Sequence, residues 1–93
     1  MIIGCLVIDI YLPYCHSLKE KRKRLKPLQE RLKSRHNVAV SELEFQDKWQ
    51  RTRLGLVTLN ERRGVIEKTL NRIVRDVEES IDGDVLNVEI SYL

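Results

Sequence analysis

Ninety-three residues, 42% hydrophobic and 33% charged, are enough for one globular domain, too few for two cores and too apolar for a disordered chain. The longest apolar run, Met1 to Ile8, is too short to cross a bilayer and has no basic stretch before it, so neither a membrane span nor a secretory leader is expected and the cytoplasm is the natural setting. The net charge of +3 is unevenly spread. Residues 19–35 hold nine Lys/Arg against Glu20 and Glu30, a balance of +7 that leaves −4 elsewhere, and Asp76 to Glu89 contains six acids and no base.

Residues 2–12 are rich in β-branched and aliphatic types and read as a first strand. Ile2, Leu6, Ile8, Ile10 and Leu12 share one face, Ile3, Cys5, Val7, Asp9 and Tyr11 the other, and Pro13 ends the strand. Ser17 and Glu20 form a capping box, S-L-K-E, that opens a helix. Leu18, Leu25, Leu28 and Leu32 then fall within an arc of about 80° on a 3.6-residue wheel, a stripe wide enough to dock on a sheet. Pro27 predicts a kink, or a short break with the helix restarting at that residue. Asn37 to Phe45 and Arg51 to Leu59 read as two strands joined by a hairpin through QDKWQ. Asn60 is the expected N-cap of a second helix carrying Val65, Ile66, Leu70, Ile73, Val74, Val77 and Ile81 at helical spacing. Asp82-Gly83-Asp84 ends it, and Val85 to Tyr92 makes a last strand with Leu86, Val88, Ile90 and Tyr92 facing one way. The order βαββαβ, with right-handed crossovers, predicts an α+β, ferredoxin-like domain over residues 1–93: a four-stranded antiparallel sheet with both helices on one face. Ile3, Val7 and Tyr11 make its open face more apolar than solvent alone favours, which suggests a homodimer through that face.

The segment L-P-x-x-H-S-L-K-E-K-R (Leu12 to Arg22), the asparagine-led strand at Asn37-Val38 and Q-D-x-W-Q-R (Gln46 to Arg51) closely resemble the YlxP-like family of small bacterial proteins, catalogued as a domain of unknown function. The resemblance covers nearly the whole chain. It implies the same ferredoxin-like fold and a genomic setting among genes for transcription elongation, translation initiation and ribosome maturation, and it brings no catalytic residue. Tyr14-Cys15 and Arg53 depart from the family's usual smaller and more apolar residues, and Arg53 leaves the facing of the third strand open.

Function therefore rests on the first helix. Lys19, Lys21, Arg22, Lys23, Arg24, Lys26, Arg31, Lys33 and Arg35 occupy everything outside the leucine stripe, with Lys21 at the stripe's edge, where it can snorkel along Leu18 and Leu25. Glu20–Arg24 and Lys26–Glu30 can pair at i,i+4, but two acids do not balance nine bases. A polyanion, RNA rather than DNA because no groove-reading element is present, is the expected partner, and an ordinary solvated helix the alternative. Engagement of about four to six phosphates would give log affinity a slope of roughly −3 to −5 against log salt.

The turn before the helix offers a second anion site at His16, Ser17 and Lys19, against a reading in which His16 only packs on the sheet end. Acylphosphatases use the corresponding loop of this fold with a glycine-flanked cradle and an arginine, and Pro13 to Ser17 has neither, so no enzyme is expected. Cys15 near the helix start could have a lowered pKa but has no resolving cysteine and no base. Phe45 and Trp49, beside Lys48, Arg51 and Arg53, are candidates for stacking bases or for anchoring an interface. Arg51 to Leu59 contains no aromatic residue, which excludes the base-stacking mode of RNA-recognition domains. No cofactor and no metal-ligand set is read.

Overall fold

The computed structural model describes all 93 residues. Its elements are β1 (Ile2–Tyr11), α1 (Leu18–Arg35), β2 (Ala39–Glu44), β3 (Arg51–Asn60), α2 (Arg63–Ser80) and β4 (Asp84–Tyr92). The strands form one antiparallel sheet in the order β2-β3-β1-β4, and both helices pack on one face: the ferredoxin-like α+β fold.

Strand alternation decides which face is core. Leu6, Ile8 and Ile10 of β1 and Leu54 and Leu56 of β3 point under the helices and are fully buried. Leu25, Leu28 and Leu32 of α1 and Ile66, Leu70, Ile73 and Val77 of α2 close over them. Each such side chain contributes about 1.5–3 kcal/mol by leaving water. The expected parity of β1 and the leucine stripe of α1 are both present.

Several boundaries differ from the sequence reading. α1 runs through Pro27 unbroken. Pro27 lies on the solvent side, where water can meet the carbonyl it leaves free, while the leucines on either side anchor the helix. β2 begins two residues later than expected because the Asn37 carbonyl accepts from the Thr58 hydroxyl (2.6 Å) instead of a ladder partner. It stops before Phe45, whose φ of 66° is left-handed. The N-cap of α2 is Arg62, not Asn60, whose side chain instead accepts from the Arg62 N–H at 2.9 Å. In β4 the register shifts between Asp9 and Ile10, so Leu86 is an extra, bulged residue, half exposed and out of the row formed by Val85, Val88, Ile90 and Tyr92. No helix is long and apolar enough to cross a membrane.

On the open face, Arg53 stands opposite Asp9 in the β1–β3 register and grips it with two hydrogen bonds, 2.6 and 3.0 Å. Arg53 also pairs with Glu44 at 2.9 Å. This settles the facing of β3. The other half of the face is apolar, with Cys5, Val7, Ala39, Leu43, Gly55 and Val57 lining a shallow hollow of about 350 Å³.

Candidate nucleic-acid interface

The nine bases of residues 19–35 do not act as one surface. Lys21 leaves the set altogether: it is 2% exposed, its ammonium lies 2.7 Å from Glu42 Oε2, and it donates to the Phe45 carbonyl. Glu42 accepts a further hydrogen bond from the Thr52 hydroxyl at 2.6 Å. Snorkelling along the leucines is therefore the wrong picture, and a buried, paired ammonium is not available to phosphate.

A second group is held by the neighbouring helix. Arg31 and Arg35 reach Asp76 at 3.1 and 3.5 Å, with His36 (3.4 Å) and Ser80 (3.2 Å) on the same carboxylate. Arg24 pairs with Asp82 at 3.0 Å and Lys33 loosely with Glu30 at 3.8 Å. Neither expected pair forms: Arg24 turns to Asp82, Glu20 accepts from the His16 N–H, Glu30 meets Lys33 and Lys26 is left without a partner.

Lys19, Arg22, Lys23 and Lys26 remain, all exposed and without an ion pair. Their spacing of i, i+3, i+4 and i+7 places them on one stripe of α1. Arg22 and Lys26 line a cleft of about 490 Å³ between α1 and β2 that extends to Gln46 at the hairpin. On α2, Lys68, Arg72 and Arg75 are likewise exposed and unpaired, at i, i+4 and i+7. The sequence reading missed this second stripe because acids surround it in the chain; its helical spacing was the available signal.

At the helix start, Glu20 accepts from the His16 N–H at 2.7 Å and the Ser17 hydroxyl accepts from the Glu20 N–H at 3.1 Å, so the chain's own side chains take two of the donors near His16, Ser17 and Lys19. The box closes on the His16 N–H, not that of Ser17. Cys15 is buried, and burial pushes its thiol up, more than the charges of Arg24 and Lys21 draw it down; the lowered pKa considered for it is reversed. Phe45 is half-buried, with the guanidiniums of Arg51 and Arg53 at 4.9 and 5.4 Å from its ring. Trp49 is 52% exposed. No three His, Cys, Asp or Glu side chains converge as metal ligands.

Two carboxylates carry the fold's acid sensitivity. Hydrogen bonding from Arg53, opposed by burial and helped by the charges of Arg53 and Arg51, holds Asp9 below its ordinary 3.8. For Asp76 burial works upward, but the hydrogen bond of His36, the charge and hydrogen bond of Arg31 and the Ser80 hydroxyl together keep it lowered too. A depressed folded-state pKa gives stability that is present above the unfolded value and lost as pH falls through the folded one. The thermal midpoint is therefore expected to fall with acidification below about pH 4. The loss should be shallower in Asp76→Asn, whose midpoint is already lower at neutral pH; parallel curves for the two proteins in calorimetry would contradict this.

The sheet order and the paired helices define the ferredoxin-like α+β class, and solved structures agree. A structural-genomics protein, YJCS, superposes with a TM-score of 0.54 at 16% identity over 96% of each chain. The de novo designed protein Foldit4 does so with 0.53 at 16% identity, over 99% of this chain and 94% of its own. These likenesses concern the fold alone. The chain belongs to the DUF503 family, described as a protein of unknown function, whose model matches residues 3–90. It is similar to the uncharacterized protein YlxP of Bacillus subtilis (strain 168), with 36% identity over 74 residues, 80% of this chain and 75% of that protein.

Proposed function

We propose that this chain is a non-enzymatic RNA- or ribosome-associated protein of the cytoplasm, serving ribosome maturation or translation and binding through α1. The observation that carries this reading is the segregation of charge on the helix. Acids of the α2 side neutralise Arg24 and engage Arg31 and Arg35, while Lys19, Arg22, Lys23 and Lys26 face solvent unopposed. A helix that needed only solubility would gain from mixed signs on that stripe. Four unopposed cations over two turns match the charge spacing of a phosphate backbone and attract it without reading bases. The fold supplies no recognition helix for a major groove, and RNA, recognised by shape and backbone, fits better.

The test is co-sedimentation with bacterial ribosomal subunits at low and moderate salt. The unaltered protein is expected to be retained at low salt, with log affinity falling against log salt at a slope of about −3 to −4 for four phosphate contacts. An Arg22→Glu/Lys23→Glu/Lys26→Glu variant should lose retention while its circular dichroism stays unchanged, since none of the three side chains holds the fold together. Should neither protein be retained at low salt, the helix is an ordinary solvated one. The surviving reading is then the apolar half of the open face, where Leu43, Val57 and Leu59 are about half exposed, as an interface to a second copy.

A further inference from the structure

We propose that the tip of the β2–β3 hairpin is a subsite for one unpaired RNA nucleotide, with Trp49 stacking the base and Arg51 taking the adjoining phosphate. This rests on the reading of α1 as an RNA surface and adds to it a contact selective for single strands.

The two arginines of R-T-R differ in how they are satisfied. Arg53 is forked onto Asp9 and paired with Glu44. Arg51 has no ion pair, lies over Phe45, and its Nε is the one buried side-chain polar atom of the protein without a hydrogen-bond partner. A charged donor left unsatisfied inside a fold marks a missing acceptor. A phosphate that draws the guanidinium away from the Phe45 ring would supply one, with the fork geometry that suits arginine.

The neighbouring residues are set for the other half of a nucleotide. Asp47, Lys48, Trp49, Gln50 and Arg51 line an open hollow of about 510 Å³. Gln50, between the two key side chains, is fastened twice to the end of β1: its carbonyl accepts from the Leu12 N–H at 2.9 Å, and its amide donates to the Pro13 carbonyl at 3.1 Å. Trp49 and Arg51 thus project from a fixed backbone, and less ordering is lost when a ligand arrives. An exposed indole gives a sequence-tolerant stacking face.

The hairpin is also locked to the cationic stripe. Lys21, in the middle of that stretch of α1, donates to the Phe45 carbonyl and so pins the hairpin base to the helix. The cleft lined by Arg22 and Lys26 opens toward Gln46 at the same base. Arg51 shares the open face with Arg53, two residues on in β3, so a strand leaving this cleft at Gln46 reaches it by passing around the base of the hairpin. An acidic peptide would satisfy Arg51 but leaves the exposed indole without a role, which is why a nucleotide is favoured.

Trp49 is the only tryptophan, so its fluorescence reports on this site alone. The full chain is titrated at low salt with an eight-nucleotide single-stranded RNA of mixed A and U, with a duplex of the same length, and with polyglutamate. Saturable quenching by the single strand is expected, with little from the duplex or polyglutamate, and an affinity about ten-fold weaker in Arg51→Gln. Trp49→Ala, at an exposed position that leaves the fold intact, should weaken binding of a fluorescently labelled strand to a similar extent by polarisation. Quenching unaltered in Arg51→Gln, or equal quenching by duplex or polyglutamate, overturns the subsite. An absence of quenching in a protein still retained on ribosomal subunits through α1 overturns the subsite and leaves the helix reading standing. Absence of both quenching and retention overturns the two together.

Discussion

Lys21→Met is expected to destabilise the protein by about 2–4 kcal/mol, lowering its thermal midpoint by roughly 10–25 °C. The substitution keeps the length of the side chain and fills the same space against the leucines, so the loss is electrostatic. Without the ammonium, Glu42 keeps only the Thr52 hydroxyl beneath the helix, and the Phe45 carbonyl keeps only the Lys48 N–H. Removing one partner of a buried pair leaves the other charge uncompensated, at about 3–5 kcal/mol; the 22% exposure of the Glu42 side chain admits some water and places this case toward the lower end. Phe45 adds to the effect. Its left-handed backbone costs on the order of 1 kcal/mol and is held partly by that ammonium. Glu42→Gln in the Lys21→Met background should recover part of the loss, since a neutral amide needs no counter-charge, and the double-mutant cycle isolates the pair. Lys23→Met, two residues away on the exposed stripe, should stay within about 0.5 kcal/mol of the parent. Chemical denaturation of the parent, Lys21→Met, Glu42→Gln, their double variant and Lys23→Met decides the matter; a Lys21→Met protein as stable as Lys23→Met would show that the buried ammonium does not hold the hairpin.

Lys21 also shows where the sequence was readable and where it was not. Alternation in β1 and the leucine spacing in α1 are local, carried by neighbours two to four residues apart, and the order of elements then limits the fold to few topologies. That part was legible, together with the resemblance to the YlxP-like family. The partners of the basic residues are not local. Glu42 and Phe45 lie more than twenty residues from Lys21, Asp76 more than forty from Arg31 and Arg35, and Asp82 fifty-eight from Arg24. A wheel of α1 alone shows nine similar cations. Only packing against β2 and α2 divides them into one buried post, one neutralised flank and one free stripe. The same cause explains the acidic stretch, which has no pattern as a sequence yet supplies Asp76 and Asp82 to α1. Leu86 was misplaced because a one-residue bulge ends strict alternation, and nothing in D-V-L-N-V announces it.

The glycines allow a second large effect to be forecast with its sign controlled. Asp82-Gly83-Asp84 reads as a turn in which almost any small residue would serve, and φ at Gly83 requires no left-handed backbone. The requirement is space. A Cβ at Gly83 would overlap the carbonyl oxygen of Tyr11 and stand 3.3 Å from Leu12 Cδ2. The Tyr11 oxygen is backbone at the end of β1, opposite Asp84 in the register, and cannot rotate aside as a side chain would. Gly83→Ala is therefore expected to cost about 2–3 kcal/mol by overpacking, in spite of the smaller entropy alanine gives the unfolded chain. For a domain of this size that is a midpoint lower by roughly 8–20 °C. Gly64 in the first turn of α2 has nothing within 4 Å of a built Cβ, so Gly64→Ala should move the midpoint up, by an amount equivalent to about 0.5–1 kcal/mol. Gly55 falls between them, because its intruding neighbour at 2.6 Å is the end of Leu43, a flexible side chain on the open face that can move away. Scanning calorimetry on Gly83→Ala and Gly64→Ala should show shifts of opposite sign. A Gly83→Ala protein that melts with the parent would mean that the end of β1 yields to the α2–β4 turn, and that the close approach of these two segments is not a fixed part of the fold.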